Sequence, residues 1–529
     1  RQLMFPVAAD TLLAFQRCQR QPYLEQFGPE EARQEPSDFL KHLRRDRQAL
    51  LADIKTAFPG DSAGVWQPKT VKTEEDRLEQ LVKRAECTRS LMNAGIERIY
   101  DGVLLDISEN GDLPPLMSFP DVLIRLERQD VEDRWYYMPA IVRTGKQVKP
   151  PYRLALAILT YLLERTRGHV INGGQLVLRD RVWRRVDLTH ARAALPALLQ
   201  DFATVIERAE APDVHMSRSR CSLCTWYDHC LQHARATRPL ALLPGVTAPR
   251  FQALQTVGIE TVNALAEAEV DALQNISGLG RTTARKLIFQ ARAARDDKAI
   301  SIEPYTLPRA EVELYFDIEA DLARNAAYLL GVLVIDRKTE TCSYRACLAD
   351  DPDDEGTNWL QFLDLVALYP EAPVYHFHSF EIQTCRRLTE QYGTDLAALH
   401  ALLARMVDLH PIVSQCVVLP TESYSLKHIA RWLGFSWRQS DADGAQSIFW
   451  YAQWLETGDR NFLNATVTYN EDDCRATYHL KQWLETRADL SHVEPDLLTL
   501  VREETSVAPA IALENAVKPE RLYPSHESG

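Results

Sequence analysis

From residue 312 the chain lays down apolar runs of strand length in close succession, "VELYFDIEA", "YLLGVLVID", "TCSYRACLA" and "PVYHFH", before turning to the helical "SYSLKHIARWLGF". Strands separated by only a few residues pair as a meander, and the strand–helix alternation that follows adds further neighbours. The prediction is an α/β domain with a mixed sheet over 301–490. Within the first run Val312, Leu314, Phe316 and Ile318 alternate with Glu313, Tyr315, Asp317 and Glu319, so Asp317 and Glu319 share one face. Two adjacent acids on such a strand are costly unless something positive sits between them. The alternative is a solvent-facing edge strand.

A second acidic stretch, "YNEDDC" from Tyr469 to Cys474, lies near the start of a long helical pattern. Tyr469 and Asp473 are four apart and share a helix face, which continues through Thr477, Leu480 and Leu484 as the inward stripe. Asp473 is therefore the acid delivered to the interior, where a carboxylate requires a cation or strong donors. Glu471 and Asp472 point elsewhere, Asp472 toward the side of Arg475 and His479, and both read as surface residues.

Asp-x-Glu on a first strand and Tyr-x3-Asp on a late helix resemble the first and third motifs of the DEDD exonucleases of the tyrosine subtype, which have an RNase H-like fold. "VYHFHSFEIQTCRRL" is placed like their middle motif, with Glu381 where most members have aspartate. The stretch 312–488, including "VDLHPIV" and "ESYSLKHIARWLGF", further resembles the YprB-type branch, in which glutamate is normal there. The resemblance implies that Asp317, Glu319, Glu381 and Asp473 hold two Mg²⁺ or Mn²⁺ ions about 4 Å apart for phosphodiester hydrolysis. Tyr469 would orient the attacking water. By the same resemblance His376 and His378 are structural or substrate contacts, and Asp408 is an acid that stabilises the fold.

Residues 1–236 mix helical patterns with short strands such as "RIYDGVLLDI" and "WYYMPAIV" and close in "CSLCTWYDHC". Cys221, Cys224 and Cys230, with the distant Cys18, make a set of four thiolates that could cage a metal centre and tie the ends of the domain together. Zinc suits such a set as well as an iron–sulphur cluster does. One early cysteine and a late C-x2-C-x5-C resemble the iron–sulphur RecB-like nucleases of PD-(D/E)XK fold over about 1–232, and this implies [4Fe-4S]. Asp121 in "FPDVL" matches that family's first metal-binding aspartate. The rest of the site follows poorly: "MPAIVRTGK" lacks an acid, and Arg143 or Lys146 replaces the family's lysine only loosely. Ala157 stands where glutamine belongs although Tyr161 remains, and "FLKHLRRDRQALL" holds no Gly-x-x-His-Glu. One carboxylate cannot assemble a competent metal site. The expectation is a retired nuclease fold that binds DNA or RNA, with Asp121 as a remnant; the alternative places nuclease activity here.

Between them, 237–300 reads as short helices separated by glycine turns. "PGV", with Gly245, and "GLG", Gly278 to Gly280, each precede a helix whose amides could face a phosphate. Arg281, Arg285 and Lys286 add charge beside the second turn. The segment resembles tandem helix-hairpin-helix motifs, which grip the nucleic-acid backbone without reading sequence. Two helical hairpins packed as a spacer are the alternative.

The net charge of -14 is unevenly spread, with 18 basic against 36 acidic residues in 301–529 and near balance before that. A polyanion would be held mainly by the first two segments unless metal ions intervene. No apolar run reaches the roughly 18 residues of a membrane span, and "RQLMFPVAAD" lacks a signal-peptide core, so the chain reads as cytoplasmic. Residues 491–529 read as a solvated tail. The reading is thus an α/β multidomain nuclease: a 3′–5′ exonuclease on single-stranded DNA or RNA, with substrate held by the first two segments. The rival is a non-catalytic nucleic-acid-binding scaffold. The order of domains resembles RecB-like proteins joined in some cases to helicases; a helicase or a DNA-repair or CRISPR-related protein is the partner this suggests, although no helicase motif is present here.

Overall fold

The computed structural model describes residues 5–64, 73–107, 114–440 and 442–487, and the expected tail lies outside them. No described helix is long and apolar enough to cross a membrane. The chain is a mixed α/β multidomain protein built on two large sheets with a helical segment between them.

The first sheet holds six strands that lie side by side in chain order: β1 (Asp61–Ser62), β2 (Arg98–Tyr100), β3 (Val122–Gln129), β4 (Trp135–Val142), β5 (Gly173–Val177) and β6 (Trp183–Asp187). β1/β2 and β4/β5 are parallel and the other pairs antiparallel. Helix α1 (Asp38–Ala57) begins at a Ser37 cap whose hydroxyl accepts from the Leu40 amide. Helix α2 (Pro150–Arg167) starts with proline and is buried almost all round from Leu154 to Leu163. A helix apolar on every side needs cover on every side. α2 has it, packing between the large sheet and a small three-stranded one made of Val7–Ala8, Leu116–Ser118 and Leu104–Asp106.

The helical segment has a core of its own, including Leu240, Phe251, Leu254, Leu265, Leu279 and Leu287. Its helices α3 (Ala248–Thr256) and α4 (Arg281–Asp296) each follow a glycine turn. The far face of α4 is pinned to the last domain: Phe289 and Ala293 pack with Ile302 and Val418, and Gln290 Nε2 donates to the Leu419 carbonyl at 2.6 Å.

The second large sheet runs β9-β8-β7-β10-β11, with β7 (Val312–Asp321), β8 (Ala326–Asp336) and β9 (Thr341–Leu348) antiparallel and β10 (Val374–His376) and β11 (Met406–Asp408) parallel to β7. This is the expected meander with parallel additions. β7 is central, so the edge-strand alternative fails. Both of its faces are buried, and the acid at its start, Glu313, is neutralised by Lys481 Nζ at 2.6 Å and Arg337 Nη2 at 3.0 Å, with the Tyr315 hydroxyl donating as well. Among the helices of the domain, α5 (Phe380–Tyr392), α6 (Gly444–Thr457) and α7 (Arg460–Glu485) stand nearest the site, with α7 lying across β7 and β8.

Candidate metal centre

α7 places Tyr469, Asp473 and Thr477 against the sheet, and β7 presents Asp317 and Glu319 to the same space. Ligand oxygens of Asp317, Glu319 and Asp473 all lie within 4.8 Å of one another, the one such group of three among the described residues. Glu319 is buried, while Asp317 and Asp473 keep partial exposure, so the cluster opens to solvent on one side. The pairing of β7 with β8 shifts register just after Glu319, where the strand bends away.

Glu381 arrives from the first turn of α5 by a constrained turn. His378 sits at φ 83, a left-handed conformation rare for a non-glycine residue, and its amide donates to Asp408 Oδ1 at 2.7 Å. The same oxygen accepts from the His410 amide, so Asp408 fixes the turn that delivers Glu381. Glu381 stands just outside the three-acid group, yet its charge helps raise the pKa of Asp317. The contact of its Oε2 with His376 Nδ1 is long, 3.4 Å, and both ring nitrogens of the fully buried His376 lack hydrogen-bond partners among the described residues.

Electrostatics follow from crowding. Burial and the charges of Asp473, Glu319 and Glu381 raise Asp317 well above the usual carboxylate range. Glu319 is pushed up to about 8 by burial and Asp473, against the opposing Ser447, Asn470 and Lys427. Asp473 is raised to about 6 by burial, opposed by bonds from Trp437 and Tyr469 and by the charge of Lys427. Burial likewise raises Glu381, opposed by His376. Acids held this close favour either protons or a multivalent cation, and hard oxygen donors in this number suit a divalent ion such as Mg²⁺ or Mn²⁺.

Several residues of the site were not singled out from the sequence. Asn470 Nδ2 donates to Asp317 Oδ2 at 2.7 Å, and its own Oδ1 accepts from the Tyr344 hydroxyl at 2.7 Å. Gly331, paired with Asp317 across β7 and β8, makes room for it: a Cβ there would lie 1.6 Å from Asn470 Oδ1. Trp437 Nε1 donates to Asp473 Oδ1 at 2.7 Å, and Lys427 Nζ stands 4.9 Å from the centre of the Tyr469 ring. Asn470 adjoins Tyr469 in the acidic stretch, which was a usable signal; Lys427 lies in "ESYSLKHIARWLGF", whose resemblance pointed to the segment and not to this residue, and Trp437 lies just beyond it. The expectation that Glu471 and Asp472 are surface residues is corrected. Asp472 is buried and accepts from the Arg438 amide and Nε, and Glu471 is held by Arg438 and Arg475.

In the first domain Asp121 is buried just ahead of β3, beside the end of β4. Its two oxygens accept from Arg47 Nη2 at 2.5 Å, the Val142 amide at 2.8 Å and Arg143 Nη1 at 3.0 Å. Among the described residues it belongs to no group of three metal-ligating side chains close enough for one ion; the cavity of about 500 Å³ that it faces carries Arg47, Arg84 and Arg143 against Asp10, Asp101 and Asp121. Tyr161 and Ala157 lie on α2, Ala157 wholly buried.

Cys18, Cys221, Cys224 and Cys230 come from both ends of the domain into one region, where Cys18 and Cys221 line a cavity of about 920 Å³. Their sulphurs are not drawn within reach of a single ion. Burial pushes the Cys230 thiol up to about 11, against the opposing Arg20.

In the helical segment Gly245 and Gly278 take left-handed φ values of 88 and 81, and Gly280 caps α4 in an extended conformation. Arg250, absent from the sequence reading, joins the two turns, donating from Nη1 to the Gly245 carbonyl at 2.8 Å and from Nε to that of Gly278 at 3.2 Å. Arg281 pairs with Asp271 at 3.1 Å, and Arg285 lies over the Phe289 ring. Lys286 serves docking: Nζ donates to the Ser414 carbonyl at 2.6 Å.

Comparison with known families agrees with two of these three regions. No curated protein gives a significant match to the chain. Residues 238–293 match the SAM-like helix-hairpin-helix tandem, and residues 314–485 match the RNase H superfamily.

Proposed function

We propose that the last domain is a metal-dependent nuclease that removes nucleotides 3′ to 5′ from single-stranded DNA or RNA, and that the first two regions hold the substrate. The observation that carries this reading is the mutually repelling group of Asp317, Glu319 and Asp473 at the open side of an RNase H-like sheet, with Glu381 adjacent. These four residues would hold two divalent ions, which when bound neutralise the scissile phosphate and activate a water. Asn470 and Trp437 fix the carboxylates of Asp317 and Asp473 by donating to one oxygen each, leaving the other oxygens available. The Tyr469 phenol, one helical turn from Asp473 and raised strongly in pKa by burial, keeps its proton and orients the water.

In the first domain we propose a RecB-like fold whose hydrolytic site is closed. With Asp121 held by two guanidinium groups and a backbone amide, a metal would have to displace a cation before it could bind. The four cysteines are proposed to hold [4Fe-4S]. The reading rests on one early cysteine and a late C-x2-C-x5-C, which resemble the set of the iron–sulphur RecB-like nucleases. Absorbance near 400 nm and four irons per chain in the purified protein test this, and zinc in their place would refute it.

The nuclease reading is tested with end-labelled single strands of DNA and RNA and Mn²⁺. Wild-type protein should shorten them from the 3′ end, and Asp317→Ala should not. Equal activity in the two proteins would remove the site assignment. Loss of activity in Asp121→Ala alone would move the chemistry to the first domain.

A further inference from the structure

Lys427 is the second residue of the short helix Leu426–Trp432, whose first turn is capped by the Ser425 hydroxyl accepting from the His428 amide at 3.4 Å. Two apolar residues of that helix turn inward: Ile429 joins the core that holds Tyr315 and Leu480, and Ala430 packs with Tyr469, Ala476 and Trp437. The segment leading into it is pinned from the helical region. The Tyr424 hydroxyl accepts from the Leu419 amide at 3.0 Å and donates to Gln290 Oε1 of α4 at 3.0 Å. Lys427 therefore springs from a fixed backbone.

Its half-buried side chain runs to two aromatic rings of the site. Nζ stands 4.9 Å from the centre of the Tyr469 ring and 5.8 Å from that of Trp437. Both rings belong to the surroundings of Asp473: Trp437 Nε1 donates to its Oδ1 at 2.7 Å, and Tyr469 lies one helical turn before it. An ammonium group over ring faces is attracted by their π electrons, which hold it in place while its three N–H donors stay available. Among the described residues Lys427 has no hydrogen bond and no ion pair. By contrast Arg438, next to Trp437 in the chain, is bound to Glu471 and Asp472. The charge count gives such a cation work to do. The charges of Asp317, Glu319, Glu381 and Asp473 would be balanced by two divalent ions when bound, whereas the phosphodiester brings a negative charge of its own and gains another as the attacking water loses its proton and adds to phosphorus.

We propose that Lys427 is a catalytic residue of this site, its ammonium group bonding a non-bridging oxygen of the phosphate being cut. The inference rests on the nuclease reading above. In that reaction water adds to phosphorus and gives up a proton, the bond from phosphorus to the 3′ oxygen breaks, that oxygen takes up a proton, and the nucleotide leaves with its phosphate. Lys427 keeps its own protons throughout and meets the charge that develops. The test uses the full chain and Lys427→Met, which keeps an aliphatic stem over both rings. In steady-state hydrolysis of end-labelled single strands the variant should lower kcat about 10²- to 10³-fold, the usual cost of one lost donor to a developing oxyanion, and leave KM within about threefold. The Mn²⁺ concentration giving half the maximal rate should not move. Calorimetry with Mn²⁺ and deoxyadenosine 5′-monophosphate reads the same contact without turnover, and Lys427→Met should bind this phosphate about tenfold more weakly. Lys427→Arg, which keeps the charge, should recover the greater part of that binding. Wild-type kcat and monophosphate affinity in Lys427→Met would overturn the proposal, as would a fall in kcat with a shifted Mn²⁺ midpoint and intact monophosphate binding, the mark of a residue that only steadies Asp473. Undiminished hydrolysis by Asp317→Asn would instead defeat the nuclease reading itself, so the two failures are separable.

Discussion

Asp121, one residue ahead of β3, and Asp317, on β7, both belong to mixed sheets, and they differ in their neighbours. Asp121 has two arginines and a backbone amide, so its charge is answered by the protein itself. Asp317 has Glu319 and Asp473 within 4.8 Å, Glu381 nearby, and one amide donor from Asn470, so its charge is compounded. A carboxylate answered internally stabilises the fold, whereas one set among other carboxylates is held at a cost that only protons or metal ions relieve. The difference between an acid that holds the fold and a candidate metal ligand lies in the company it keeps.

The same substitution at both positions breaks or confirms that comparison most directly. Asp317→Asn should lower the Mn²⁺-dependent rate constant by on the order of 10³-fold or more, because a neutral amide cannot replace a ligand charge. Asp121→Asn should leave the rate constant unchanged. It should instead weaken the first domain by about 2 kcal/mol, since two arginines lose their counter-charge, read as reduced hydrogen-exchange protection of the strands from Val122 to Val142. A large fall in rate from Asp121→Asn would mean that the two sites do not divide in this way.

Asn470 sharpens the comparison by a smaller amount. Asn470→Ala removes the donor that orients Asp317 and should lower metal affinity or activity about 10- to 100-fold, measured by Mn²⁺ titration of the hydrolysis rate. Gly331→Ala should act in the same direction, because its Cβ would occupy the place of Asn470 Oδ1. If neither change alters the Mn²⁺ dependence, Asn470 supports the fold alone.

How much of this was legible follows from range. The mixed sheet was, because strand period and short connections are local, and so was the convergence of Asp317 with Glu319 by the two-residue repeat and of Tyr469 with Asp473 by helical spacing. The partner of Asp472 was not: Arg438 comes from a loop more than 30 residues earlier, and helical geometry states only that Asp472 faces away from Asp473. The same holds for Trp437 and Lys427, whose positions depend on how separate helices dock. Asp121 shows the intermediate case. A missing acid in "MPAIVRTGK" was visible in the sequence, but that Arg47 of a distant helix would join Arg143 in closing the site was not. The pairing of Gly331 with Asn470 required both the strand register and the helix position, neither of which a single segment specifies.

The smallest expected effect concerns pH and separates the two aspartates without any assay of hydrolysis. Glu319, with an ordinary value of 4.5, is raised to about 8, and Asp473, with an ordinary value of 3.8, to about 6. Between about pH 4 and pH 8 the folded site therefore binds more protons than the unfolded chain, so stability falls as pH rises through that window. In EDTA the site's contribution to the stability of the last domain should be largest near pH 4 and fall by on the order of 1–3 kcal/mol by pH 8.5. Mn²⁺ should remove most of this slope, since a bound divalent ion replaces the protons. Asp317→Asn, which deletes one of the repelling charges, should reduce the slope in EDTA and be more stable than wild type at pH 8.5, whereas Asp121→Asn should leave the slope as it is. Denaturant unfolding followed by tryptophan fluorescence across the pH series measures this. Identical slopes for wild type and Asp317→Asn would mean that the clustered carboxylates do not carry the stored repulsion that distinguishes them from Asp121.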